Sequence, residues 1–95
     1  MLIIAGHLYV APEDRDKFVT SHEDLLVRAR KAEGCLDLAI SADPVEEGRA
    51  NMFEIWESQE ALDAWRAVAH GPAPVTEFLG GDIKKYIVSG TGPVF

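Results

Sequence analysis

Between Phe53 and Ala67 the chain changes period with almost no loop. Phe53, Ile55 and Glu57 alternate with Glu54, Trp56 and Ser58, the two-residue repeat of a strand. Leu62, Trp65 and Ala69 then recur at helical spacing. Ser58 stands at the junction as an N-cap, and Gln59 and Glu60 enter the first turn. A strand that runs straight into an amphipathic helix has to fold that helix back onto its own sheet. Each of the two elements carries a tryptophan, Trp56 and Trp65.

The rest of the chain repeats this grammar. Residues 2–10 are rich in Ile, Leu, Val and Tyr and predict a strand. Its two faces, Leu2, Ile4, Gly6, Leu8, Val10 and Ile3, Ala5, His7, Tyr9, are both largely apolar. Pro12 suits a first helical position, where a missing N–H costs nothing, and Glu13 and Asp14 complement the helix dipole. Phe18, His22, Leu25, Leu26, Ala29 and Ala32 form one stripe of a single helix that Gly34 ends. Residues 35–42 alternate again, with Leu36, Leu38 and Ile40 on one face. Pro44 and Gly48 mark a turn, and residues 50–57 make the third strand. The second helix runs to about Ala69, where a Gly and two prolines in HGPAP break it. VTEFLGG reads as one further helical turn, residues 82–89 as the last strand, and GTGPVF as a tail with an apolar end.

The order strand, helix, strand, strand, helix, strand predicts one α+β domain over residues 1–95. Its compact form is a ferredoxin-like βαββαβ unit, a four-stranded antiparallel sheet with both helices on one face. That leaves the other apolar face uncovered, which predicts face-to-face pairing of two copies in a two-fold homodimer.

A formal net charge of −7 opposes nucleic acid and anionic membrane as partners, because both are bound through Lys and Arg. The single cysteine, Cys35, can form no intrachain disulfide and fits a cytoplasmic protein. It reads as a buried structural thiol. The apolar start lacks a basic segment before it and is too short for a signal peptide or membrane span. No metal-ligand spacing occurs, so no metal is expected.

Glu33-Gly34-Cys35-Leu36, with Glu54-Ile55-Trp56-Glu57-Ser58 and Glu60-Ala61-Leu62, resembles the antibiotic biosynthesis monooxygenase family, the dimeric α+β barrel proteins. The resemblance follows nearly the whole chain in order and length. It implies a homodimer with a pocket between each sheet and its helices, and oxidation of phenols by molecular oxygen without metal or flavin. Other members degrade haem or act on quinols. The family's usual histidine in the second helix is here Trp65, as in its aromatic-oxidising and haem-degrading branches. The first-strand asparagine of the haem branch corresponds to His7, and its later histidine to Val75. The polyphenol branch's asparagine corresponds to Ala61.

Two residues are expected to be catalytic. His7, mid-strand, is suited to take a phenolic proton, or else is a hydrogen-bonded core histidine. Trp65 stacks on a planar substrate or simply packs the core, whereas Trp56 reads as scaffold. Tyr9, His22, His70 and Tyr86 are candidates for substrate binding. His22 faces His7 across the pocket or satisfies a core polar group. His70 borders a lid or suits the helix end. Lys85 stabilises an oxyanion or is solvated. The leading reading is a cytoplasmic homodimeric oxygenase, without cofactor, acting on a planar phenolic or quinol-like molecule. Haem degradation and non-catalytic small-molecule binding remain alternatives.

Overall fold

A computed structural model describes all 95 residues. Strand β1 (Leu2–Tyr9) leads through a 3-10 turn at Pro12–Asp14 into α1 (Arg15–Ser21) and α2 (Glu23–Arg30). Strands β2 (Cys35–Ala42) and β3 (Arg49–Trp56) form a hairpin. Helix α3 (Gln59–Arg66) and strand β4 (Gly80–Ile87) complete the chain. The sheet is antiparallel in the order β2-β3-β1-β4, with β1 paired to both β3 and β4. This is the expected ferredoxin-like arrangement.

Register sorts the side chains. Leu2, Ile4 and Gly6 lie opposite Trp56, Glu54 and Met52, while Ile3, Ala5 and His7 lie opposite Ile55, Phe53 and Asn51. The first set faces the helices. Leu2, Ile4, Leu38 and Trp56 join Ala29, Leu62 and Trp65 in one buried cluster. Val10, Phe18, Ile40 and Ala50 form a second, with Leu8, Met52 and Val75 packed against it. The second set of strand residues faces away from every helix. Only 11 of 95 residues are buried, so a single copy has a core on one side of its sheet only.

Three expectations change. The first helix is two helices, broken at His22. The His22 amide bonds Val19 O (3.1 Å), one residue short of the α-helical partner, because Ser21 Oγ and His22 Nδ1 claim Phe18 O (2.7 and 2.9 Å). Such side-chain bonds compete with the helical ladder. The ladder resumes at Leu26, whose amide reaches His22 O at 3.0 Å. Leu36 is turned out by a register shift between Cys35 and Asp37. Finally, VTEFLGG forms no helical turn: the Leu79 amide bonds Tyr9 O (2.8 Å), and β4 begins at once, two residues earlier than its pattern indicates.

Other local signals read as expected. Ser58 Oγ accepts the Ala61 amide (3.1 Å), and Gly34 ends α2 at φ +82°. Cys35, expected to be buried, is only partly so, and that burial, then the charges of Glu54 and Asp37, push its thiol up.

The β2–β3 turn is held by charge. Asp43 accepts from Asn51 Nδ2 (2.9 Å) and from the Glu46 and Val45 amides (2.8 and 3.0 Å). The Asn51 bond leads in lowering its pKa to about 2 from 3.8, with Arg49 adding attraction. Arg15 Nη1 reaches across to Asp43 O and Glu46 O at 2.9 and 3.0 Å.

Two outcomes follow for stability. Gly6 sits at φ +154°, and a β-carbon there would collide with the Asp82 carbonyl on β4. Gly6→Ala should cost at least about 2 kcal/mol in urea unfolding, from backbone strain plus overpacking. The Asp43 carboxyl binds its proton less tightly folded than unfolded. Its stabilisation is therefore complete above about pH 4 and is lost as the pH falls toward 2. In Asp43→Ala, urea midpoints across that window should fall less steeply than in the wild type.

Candidate functional site

The break at His22 makes a notch in the helical layer, and the segment after α3 closes it. That segment is irregular and crosses the notch as a strap. A cavity of about 230 Å3 lies between them, walled by Phe18, Ser21 and His22 on one side and by residues from Pro72 to Phe78 on the other. Its apolar lining includes the rings of Phe18 and Phe78, which meet edge to face at 5.8 Å between centroids, and two prolines. Edge-to-face rings and proline faces suit a flat apolar body. The polar groups are few, namely His22, Ser21 and Thr76. An apolar site with a few convergent polar atoms is the usual form of a small-ligand pocket.

His22 is held from several directions. Its ring lies 4.6 Å from that of Phe18, and its Nδ1 is 2.9 Å from Phe18 O and 3.3 Å from Ser21 Oγ. The strap is pinned as well. Thr76 Oγ1 donates to Asp14 Oδ2 (3.1 Å), which fixes its middle to the turn before α1. Arg28 holds its start: Nη1 donates to Ala69 O (2.6 Å), Nη2 to His70 O (3.3 Å) and Nε to Asp24 (2.9 Å). The same guanidinium lies over the Trp65 ring at 5.7 Å, a cation–π contact. Between these anchors His70 takes φ +45°, a conformation that costs a residue with a β-carbon.

Of the six residues expected at the site, His22 alone lines this cavity. His7 and Tyr9 are on the opposite face of the sheet, where their rings meet edge to face at 5.2 Å, so His7 and His22 do not face one another. The Tyr9 hydroxyl donates to Glu46 (3.1 Å). Tyr86, opposite Ile3, shares that face. His70 is exposed on the strap and off the cavity wall. Trp65 is buried, stacked on Trp56 at 6.4 Å and 24°, with Arg28 above it. It packs the core cluster of Leu2, Ile4, Trp56 and Leu62 and does not line the cavity. Trp56, fully buried with Nε1 on Glu54 Oε1 (3.0 Å), is scaffold as expected. Lys85 Nζ donates to Gln59 Oε1 (2.9 Å) on α3 and is also remote from the cavity wall.

Pattern alone does not single out Phe18 or Phe78. Phe18 shares the apolar stripe of the first helix, and Phe78 sits in a segment without periodicity. The clue available was Ser21-His22, two side chains that compete for helix carbonyls in the middle of an apolar stripe.

A second depression, about 340 Å3, lies at the start of α3 between Gly34 and Ala64. It is larger but wide open, and its charged groups are all acidic, Glu33, Glu57 and Glu60. Nothing there converges on a ligand. No group of three or more His, Cys, Asp or Glu side chains is placed to hold a metal ion. No helix is long and apolar enough to cross a membrane.

Comparison with known proteins agrees with the architecture. The sequence model of the antibiotic biosynthesis monooxygenases matches residues 1–71. A protein assigned to that group from Deinococcus radiodurans has a solved structure similar to this chain (TM-score 0.71, 18% identity, covering 100% of this chain and 99% of that one). A counterpart from Bacillus cereus gives 0.70 at 21% identity, covering 100% and 97%. The haem degrader MhuD of Mycobacterium tuberculosis, solved with two haems in its active site, gives 0.69 at 17% identity, covering 98% and 100%. At such identities the likeness is one of fold. No curated protein matches the chain by sequence.

The strap's anchors can be tested without a substrate. Arg28→Ala should destabilise the protein by about 1–3 kcal/mol, from two lost carbonyl bonds and the lost indole contact. Hydrogen exchange should accelerate at the amides of residues 69–71 and 75–79 while the sheet stays protected. Arg28→Lys should recover less than half of the loss, since an ammonium cannot reproduce the planar fork.

Proposed function

The chain belongs to the antibiotic biosynthesis monooxygenase family, and from that premise we propose that it is a homodimeric oxygenase that needs no cofactor and oxidises a small planar phenol or quinol with O2. The observation that carries this reading is the aromatic cavity under the strap, which contains one titratable side chain, His22, among apolar walls. Removal of a phenolic proton in such a site gives an electron-rich phenolate. Electron transfer to O2 and C–O bond formation then give a ring hydroperoxide. Loss of water from it yields the quinone, so one O2 supplies one oxygen atom to product and one to water.

Size supports a small substrate. At about 230 Å3 the cavity lies below the range of about 300–1,000 Å3 common for drug-sized ligands, which suits one or two fused rings. Haem is far larger, and Val75, in the strap, offers no axial ligand. The haem-degrading alternative therefore has little support in this cavity, despite the fold shared with MhuD.

The dimer is supported by the uncovered sheet face, which offers Ile3, Ala5, Phe53 and Ile55 beside His7 and Tyr9, and by the apolar, exposed Val94 and Phe95 of the tail. Such a patch on an isolated chain marks an interface. His7, Tyr9 and Tyr86 then belong to the space between protomers. A single cysteine, which can form no intrachain disulfide, is in keeping with a cytoplasmic location, which cell fractionation would check.

An oxygen electrode and analytical ultracentrifugation test the proposal together. With naphthalene diols and simple hydroquinones the protein should sediment at twice the chain mass and take up one O2 per quinone formed. Binding of these compounds without oxygen uptake would favour the non-catalytic reading. A haemin titration should leave the Soret band of free haemin unchanged, and a shifted band with verdohaem-like products would restore the haem reading.

A further inference from the structure

We propose that His22 is the residue that accepts the substrate's hydroxyl proton, through Nε2, with its neutral tautomer fixed by the Phe18 carbonyl. The inference rests on the reading of the cavity given above and assigns the proton step within it.

The argument starts from the broken helix. A carbonyl oxygen can only accept hydrogen bonds, so the 2.9 Å contact between His22 Nδ1 and Phe18 O requires a proton on Nδ1. Ser21 Oγ donates to the same oxygen at 2.7 Å, which uses its second lone pair and holds the carbonyl in place. A neutral imidazole protonated at Nδ1 has its lone pair on Nε2. No side chain or backbone group hydrogen-bonds that nitrogen, and the ring belongs to the cavity wall. The basic atom is thus the one left for a ligand.

The surroundings favour the step. When Nε2 takes the proton, the O–H bond of the ligand breaks and an N–H bond forms, leaving a phenolate beside an imidazolium. The Nδ1–H···O=C bond then becomes charge-assisted and stronger, so the Phe18 carbonyl stabilises the state after transfer more than the state before it. The bond needs no reorganisation, because it is already made. The Phe18 ring at 4.6 Å limits ring rotation. None of the other wall residues titrates; Asp14 stands behind Thr76, and Glu23 and Asp24, both exposed, follow on α2. His7 sits on the far side of the sheet and has no access to the same ligand.

The test is a spectroscopic titration with 2-naphthol, whose phenol and phenolate forms absorb differently. Bound to the wild type, the probe should appear as phenolate at a pH at least one unit below its solution transition. His22→Gln should bind it within about threefold of wild type but in the phenol form, and turnover of oxidisable diols should fall by about 100-fold or more, the usual scale of a lost general base. His7→Gln should behave as wild type. In nitrogen-15 NMR of the wild type, neutral His22 should show the Nδ1–H tautomer, a readout that does not depend on any variant folding. Phenolate formation that survives His22→Gln, or a dominant Nε2–H tautomer, would overturn the assignment while leaving the cavity reading in place. Failure of the wild type to bind naphthols at all would overturn both.

Discussion

Phe18 donates nothing from its carbonyl, yet that one oxygen organises the helical layer. In a regular helix it would accept the His22 amide. Here two side chains take it, the amide shifts to Val19, and the helix breaks in the middle of its apolar stripe. Without the break, residues 12–33 would lie as a continuous rod against the sheet, and the strap would have no notch to cross. The same hydrogen bond that interrupts the helix sets which nitrogen of His22 is basic. Local backbone competition, a cavity and a protonation state therefore have a common origin.

The second constraint is the strand period. Side chains alternate across β1, and its unbroken register with β3 and β4 makes that alternation strict. Leu2, Ile4 and Leu8 go to the helices; Ile3, Ala5, His7 and Tyr9 go to the open face. A shift of one residue would exchange the two sets. It would also bring His7 to the helical side, so the placement of a candidate catalytic residue depends on register alone.

Much of the fold was legible in the sequence because its signals are local. The period change at Ser58, the Gly34 stop and the apolar, β-branched run of residues 2–10 each depend on neighbours a few residues away. Together they give element order, and element order gives the sheet. The site was less legible because it depends on contacts between distant segments. Phe18 meets Phe78, Thr76 meets Asp14 and Arg28 meets Ala69 only after folding. Trp65 illustrates the difficulty: helical spacing placed it on the buried face correctly, but could not tell that Trp56 and Arg28 would both lie against its ring. His7 shows the converse, a polar residue in an apolar strand whose face could be known only from register. The strap carries no period, and the sequence pattern accordingly placed the start of β4 two residues late.

The central claim is that ligand chemistry takes place in the notch under the strap and not on the open sheet face. Intermolecular nuclear Overhauser effects from bound 2-naphthol to assigned aromatic side chains test it most directly. The account predicts cross-peaks to the rings of Phe18, His22 and Phe78 and none to His7, Tyr9 or Tyr86. Cross-peaks confined to His7, Tyr9 and Tyr86 would place the ligand between protomers and contradict it.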